Sequence, residues 1–331
     1  MNLACRDTTT RRGFLGKLAA GAAAAGISGL PRALAGANSP ARLVAPAGLS
    51  RVVRTVSEGI ITAQVVHRTI LRDTLAEGLR ILTGHERVAD AWNSLFEPKD
   101  VILLKFNQSA ADRLGTSPAL AEVLVESLTA SGFAPERLML LEVPDWEGAT
   151  QRRTRGADMR WQGSAVKFGS SGEDVFLAAL DQATAIINVP FIKTHSLATM
   201  TGCLKNLSHG LIRHPARFHA GGCDPAIAEI NASPEIRRKL RLNIVNGLRV
   251  VFEGGSDADP KWIDAPGTLL LGTDPVACDS VGYGILNEVR SVRGLPPLLP
   301  KAALPRQLQS AERLGVGFAD AERIKVFTTR L

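Results

Sequence analysis

Val101-Ile-Leu-Leu-Lys-Phe106, a continuous apolar run held between Pro98 and the polar stretch that begins at Asn107, decides the fold. Helically spaced apolar residues follow over 118–130, and a second apolar run occupies 138–143. A short run without polar alternation reads as a strand buried on both faces. A helix between two such runs carries the chain back so that they lie side by side in the same direction. The unit predicts an α/β protein with a mostly parallel sheet flanked by helices, either as one large domain or as two lobes. Further strands are predicted over 185–189, 242–246, 268–271 and 324–328, with a helix near 174–182. Asp274-Pro275 opens a last long helix with an acid at the cap and proline at the first position.

On the amino-terminal side, apolar residues recur at helical spacing through Ile60, Val65, Ile70, Leu71, Leu75 and Leu79 as far as Gly84. They predict one amphipathic helix within an amino-terminal helical segment, 36–97, ahead of an α/β domain over 98–331. Between the strands, residues 144–172 are polar and arginine-rich, with Arg152, Arg153, Arg155, Arg160 and Trp161. They read as a long surface excursion whose stretch 151–161 is either a lid or a solvated insertion.

Residues 1–35 read as a twin-arginine signal peptide. Thr10-Arg11-Arg12-Gly13-Phe14-Leu15 precedes a mildly apolar Ala/Gly stretch and the cleavage pattern Ala33-Leu34-Ala35. The stretch is too short and too rich in alanine and glycine for a stable membrane span, and an uncleaved anchor is the alternative. This reading places the mature chain in the periplasm and makes the twin-arginine translocase a partner. It also dissolves most of the formal charge of +7, because five bases against Asp7 lie in this segment and leave +3 elsewhere. With 5% aromatic residues besides, the chain lacks the stacking surface of a nucleic-acid binder, and no nucleic-acid partner is expected.

Beyond Cys5 the chain holds Cys203, Cys223 and Cys278, an odd number that excludes a disulfide scaffold. One disulfide remains open, Cys203 with Cys223 being the nearest pair in sequence.

Four of the six histidines, His195, His209, His214 and His219, fall within 25 residues, together with Lys205, Asn206 and Cys203 among them and Lys193 and Cys223 close on either side. Lys193 and His195 follow the apolar run at 185–189, at the carboxyl end of a strand, where open α/β sheets place their ligand crevices. If 198–212 is helical, Lys205 and His209 share one face, and unpaired N–H donors gather near 196–199. Ammonium groups beside imidazoles suit an anionic small molecule or cofactor. His195, His209, His219 and Cys223 are the candidate ligands for a metal ion, although no standard ligand spacing is present. The absence of a cysteine quartet argues against a self-contained iron–sulfur cluster. No dinucleotide fingerprint, phosphate loop or serine elbow occurs. Asp274 reads as a cap, and Asp279 one turn later reads as either part of the site or part of the helix.

The order of these motifs resembles the domain of unknown function 362 family. Asn188-Val-Pro-Phe-Ile-Lys-Thr-His195 looks like that family's strand ending in N-x-P-x-x-K-T-H, and Lys205-Asn206 like the K-N pair that follows it. Lys105-Phe-Asn107 resembles its early K-P-N, His219 its isolated downstream histidine, Gly254-Gly255 its glycine-rich turn, and Asp274-Pro-Val-Ala-Cys-Asp279 its D-x-V-A-x-D segment. The resemblance covers about 98–290. It implies no general activity. Some relatives carry a ferredoxin-like cysteine-rich extension, which is absent here. Phe106 replaces the usual proline, and Asn246-Gly247 stands where Asp-Gly is common, removing a carboxylate.

The combined expectation is an exported protein that binds an anionic small molecule or cofactor. Lys193, His195, Lys205 and His219 are expected to carry chemistry, while Lys105, Asn107, Asn206, His209 and Asp279 hold the ligand. The lysines neutralise the anion, the asparagines orient it, and His195 or His219 acts as acid/base or metal ligand. Redox or proton-transfer chemistry fits better than hydrolysis, since no nucleophile with a partnered base is visible, and a redox partner or a second copy of the chain accompanies that reading. The alternative is a non-catalytic periplasmic metal- or cofactor-binding or maturation protein.

Overall fold

A computed structural model describes residues 48–144, 155–255 and 258–331. The segment 1–35 read as a signal peptide, most of the leader, and Arg152 and Arg153 of the arginine-rich stretch lie outside the described residues. The fold is the expected α/β arrangement, a large, mostly parallel sheet flanked by helices.

Its parts, in chain order, are strand β1 (Ser50–Val56), helix α1 (Arg68–Thr83), strand β2 (Ile102–Lys105), helix α2 (Ser117–Ala130) and strand β3 (Leu138–Leu141). Strands β4 (Ala185–Asn188), β5 (Phe191–His195) and β6 (Thr199–Thr201) follow, then helix α3 (Cys203–His209) and the long strand β7 (Leu240–Val251). Strand β8 (Thr268–Gly272), helix α4 (Pro275–Val292) and strand β9 (Ile324–Arg330) complete the frame. Along the sheet the order is β9-β1-β8-β7-β4-β2-β3. Strands β7, β4, β2 and β3 run parallel, and β8 is antiparallel to both β7 and β1.

The central strands are buried on both faces, as an unbroken apolar run requires. Ile102 and Leu104 join the core under α1 and α2, with Trp92, Phe96 and Phe133. Leu103 points the other way, into a core with Met139, Phe176 and Leu207, following the period-two alternation of a strand. Helix α1 turns Leu71, Leu75 and Leu79 onto the sheet, one row at intervals of four, and stops at Gly84, whose φ of 76° places it in the left-handed region.

The amino-terminal expectation needs correction. Ile60 and Val65 are not in the helix: Ile61–Thr62 pairs with Val65–Val66 as a small hairpin, and α1 begins only at Arg68. The segment 36–97 is not purely helical, because β1 lies inside the main sheet between β8 and β9. Val52, Val53 and Thr55 are buried there, and such β-branched side chains pack readily on a pleated surface. The helix expected over 174–182 is reduced to Ala179–Gln182. No helix among the described residues is long and apolar enough to cross a membrane.

Candidate functional site: a cationic, imidazole-lined cleft

Strand β4 ends at Asn188, and the chain crosses Val189-Pro190 into β5 without leaving the sheet. Pro190 has no N–H to give, but its carbonyl accepts the Asn246 amide at 2.7 Å. Strand β7, twelve residues long, therefore carries β4 along its first half and β5 along its second. This extension takes Lys193 and His195 past the last paired residues of β2 and β4, Lys105 and Asn188, to the carboxyl edge of the sheet. Strand β6 then folds back on β5, pairing Thr199 with His195.

The helix expected over 198–212 is thus a strand followed by a seven-residue helix. Its free amino end is not near 196–199 and is not offered to a ligand. The Cys203 and Leu204 N–H groups donate to the Asp279 carboxylate at 2.5 and 3.0 Å. Asp279 is buried beneath α3 and does not line the cleft; it anchors the helix, and burial pushes its carboxyl up to about 7.

A cleft of about 480 Å³ opens at this edge, and Asn107, Lys193, His195, Lys205, His209 and His219 all line it. Lys105 and Asn206 lie under its floor. The Lys105 ammonium is fully buried and its three protons are spent, on the Phe106 carbonyl (2.7 Å), Glu142 Oε2 (2.9 Å) and Asn206 Oδ1 (3.1 Å). Asn206 Oδ1 also accepts from Asn107 Nδ2 at 3.0 Å, while its Nδ2 donates to the Lys105 carbonyl and to Asn188 Oδ1. Asn188 passes the chain on to Asn243 at 2.9 Å, and Asn243 to the Gly272 carbonyl. A line of buried amides therefore ties β2, β4, β7, β8 and α3 together beneath the cleft. Gly210 closes this floor: a Cβ there would come within 2.5 Å of the Asn206 carbonyl and of Lys105 Nζ.

Lys193 and Lys205 are both buried, yet among the described residues neither is hydrogen-bonded to a carboxylate. Lys193 donates to the Ser109 carbonyl (2.8 Å) and hydroxyl (2.7 Å). Lys205 Nζ lies 3.4 Å from His219 Nε2. Burial lowers both lysines to about 8, and for Lys193 the neighbouring Lys205 charge adds to the effect. Glu142, the acid at the rim, is already engaged by Lys105 and by the Gln108 N–H at 3.0 Å.

The imidazoles are neutral. His195 Nδ1 accepts from the Leu197 and Ala198 N–H groups at 3.2 and 3.1 Å, which leaves its proton on Nε2. Burial, reinforced by Lys205, His219 and Lys193, brings its pKa down to about 4. His219 donates from Nδ1 to the Pro215 carbonyl at 3.0 Å, leaving a lone pair on Nε2; it stacks on His195 at 5.8 Å and meets the edge of His209 at 4.7 Å. His209 Nδ1 sits 3.1 Å from Ser208 Oγ, its Nε2 is buried without a partner, and burial followed by the Lys205 charge takes it down to about 2.

Behind this wall the buried Cys223 completes, with His209 and His219, a group able to hold a metal ion, their ligand atoms all within 4.8 Å of one another. His195 is outside this group. His214 leaves the cluster altogether and pairs with Asp174 at 2.9 Å. The three described cysteines, Cys203, Cys223 and Cys278, are free, and the Cys203 thiol contacts Cys278 rather than Cys223.

Glu142 and Ser109 escaped sequence reading. Glu142 is the first residue after β3, so the carboxyl-end rule that singled out Lys193 applies to it equally. Ser109 had no signal beyond its place two residues after Asn107.

Fold and site together define an α/β protein with a cationic, histidine-rich cleft at the carboxyl edge of its sheet. A family model described as "Domain of unknown function (DUF362)" matches residues 162–284. The matched stretch contains Lys193, His195, Lys205, Asn206, His209, His219, Cys223 and Asp279, whereas Lys105 and Asn107 precede it. No curated protein matches the chain.

Proposed function

We propose that the cleft binds a small anionic molecule of the carboxylate or phosphate class. The observation that carries this reading is the pair of buried ammonium groups, Lys193 and Lys205, hydrogen-bonded to no carboxylate among the described residues. A buried charge without a partner works against folding, and an incoming anion supplies that partner. His195, with its proton on Nε2, serves as a hydrogen-bond donor to the ligand, and Asn107, whose Oδ1 is buried and unpartnered, offers an acceptor.

Proton transfer is the chemistry this arrangement suits, and lysine is the group suited to it. Both lysines titrate near 8, close to working pH, whereas the His195 lone pair is already occupied by backbone donors. Titration calorimetry with inorganic phosphate, pyrophosphate and citrate at pH 8 tests the reading. Binding at one site is expected to take up a fraction of a proton, because the anion raises the depressed lysines; it shows as a heat that depends on the buffer's ionisation enthalpy. Absence of binding by all three anions at millimolar concentration, or binding unchanged by Lys193→Met, overturns it.

The amino-terminal sequence supports delivery through the twin-arginine translocase to the periplasm, the Arg11-Arg12 pair being the feature that carries it. The double variant Arg11→Lys, Arg12→Lys is expected to leave the chain in the cytoplasm. Undiminished export in that variant refutes the route.

A further inference from the structure

We infer that His209, His219 and Cys223 form a Zn²⁺ site in the wall of the cleft, with a fourth coordination position open to the cleft. The three donors come from two neighbouring pieces of chain. His209 ends α3, and His219 and Cys223 are joined by one turn in which the Cys223 N–H donates to the His219 carbonyl at 3.3 Å. Their ligand atoms already lie within 4.8 Å of one another. A tetrahedral ion with bonds of roughly 2.0–2.3 Å needs them about 1 Å closer, a movement within reach of side-chain rotation.

His219 already holds the tautomer a metal requires. It spends its proton on the Pro215 carbonyl, so Nε2 presents a lone pair. The Ser208 hydroxyl, 3.1 Å from His209 Nδ1, can accept the proton of that nitrogen while donating to the Lys205 carbonyl at 3.4 Å. In that tautomer the lone pair of His209 falls on Nε2, a buried atom with no hydrogen-bond partner among the described residues. A backbone carbonyl and a hydroxyl behind the ligating rings form the outer shell that orients histidine ligands. Two nitrogens and one sulfur match the borderline-soft character of Zn²⁺ and do not suit Mg²⁺ or Ca²⁺, which require oxygen. Cys223 binds as the thiolate, its proton leaving to solvent as the Zn–S bond forms. Because His209 and His219 line the cleft while Cys223 lies behind them, the open position faces the space in which an anion would sit.

One charged group faces the site. The Lys205 ammonium, 3.4 Å from His219 Nε2, competes with the metal for the same lone pair. The zinc site and the anion site therefore respond oppositely to Lys205→Met, which is expected to tighten zinc and to weaken phosphate. The zinc inference stands independently of the anion reading, and this opposition separates the failure of one from the failure of the other.

The test is a titration of chelator-stripped full-length protein with Zn²⁺, and with Co²⁺ as a spectroscopic substitute, in a buffer free of phosphate and carboxylates. One ion per chain is expected, with visible ligand-field bands of a four-coordinate cobalt ion and a thiolate-to-cobalt charge-transfer band in the near ultraviolet. Cys223→Ser is expected to lose the charge-transfer band, and Cys223→Ser and His219→Ala each to lower affinity by roughly 100-fold or more. His214→Ala, whose ring pairs with Asp174, is expected to leave affinity unchanged. Wild-type protein that binds no Zn²⁺, or a cobalt spectrum identical in wild type and Cys223→Ser, overturns the inference; the wild-type measurement decides even if a variant fails to fold.

Discussion

Asn206→Leu is expected to remove roughly 3–5 kcal/mol of stability, a large share of the ~5–15 kcal/mol that holds a typical domain. The leucine fits the space but satisfies nothing. Asn206 Oδ1 is one of only three acceptors for the buried Lys105 ammonium and is the acceptor for Asn107 Nδ2, while its own Nδ2 serves the Lys105 carbonyl and Asn188 Oδ1. One substitution thus strands part of a buried charge and two neutral polar groups, Asn107 Nδ2 and Asn188 Oδ1, while the Lys105 carbonyl keeps the Val189 N–H at 2.8 Å; each stranded neutral group costs about 1–3 kcal/mol. Asn206→Asp separates the causes. It keeps the acceptor and adds a negative charge beside Lys105, but sets an oxygen against the Lys105 carbonyl and Asn188 Oδ1, so the stability it recovers over leucine reports the Lys105 contact. Urea unfolding monitored by circular dichroism gives both values from the shift in midpoint. A loss below about 1 kcal/mol for the leucine variant would show that the amide line contributes little.

Lys193→Met is expected to act in the opposite direction on stability while weakening anion binding. Folding lowers this lysine from 10.5 to about 8. Below pH 8 both folded and unfolded chains hold the proton, and the folded chain bears a buried charge that water would otherwise solvate. Between pH 8 and 10.5 the folded chain releases the proton and the unfolded chain keeps it, so the stability of the wild-type protein rises with pH across that window. Methionine removes the charge at every pH. The variant should therefore be more stable than wild type by on the order of 2 kcal/mol at pH 7, the lost Ser109 hydrogen bonds offsetting part of the gain. That advantage should shrink as the pH approaches 10. Phosphate affinity should fall by roughly 100-fold, since a buried charge-assisted contact contributes about 2–5 kcal/mol. Parallel melts at pH 7 and pH 10 test the first part: a difference between variant and wild type that does not change with pH would refute the burial argument.

Much of this architecture is legible in the chain because it rests on local patterns. The runs at 101–106 and 138–143 are apolar except for Lys105 and Glu142 near their ends, and they form adjacent parallel strands. Asp274-Pro275 caps α4 as read, the carboxylate accepting from the Val276 and Ala277 N–H groups. Lys193 and His195 reach the cleft by the strand-end rule alone.

What escaped depends on pairings that no local pattern records. Strand β1 follows a leader rich in proline, alanine and glycine, and its place is set by partners more than 200 residues away. The turn at Ser196–Ala198 is held by His195 Nδ1, which converts an apparent helix start into a hairpin. Composition marks Lys105, Lys193 and Lys205 as equals; the structure divides them, because Glu142 and Asn206 saturate the first and leave the other two to the cleft. Asp279 reads as a ligand from spacing, and only the approach of α3 to α4 makes it an anchor for backbone amides.

Strand β7 also sets the order in which the site can come into being during synthesis. Strand β5 joins the main sheet only when it zips onto the stretch that ends at Val251 of a strand whose opening residues seat β4. A chain that has emerged only to residue 240 can hold β2, β3 and β4 together and pair β5 with β6, but has no strand that ties this hairpin into the sheet. Such late, long-range pairing is slow compared with the closing of local helices. Occupancy of the cleft therefore reports a chain grown past Val251, and a ligand captured there distinguishes it from shorter growth stages.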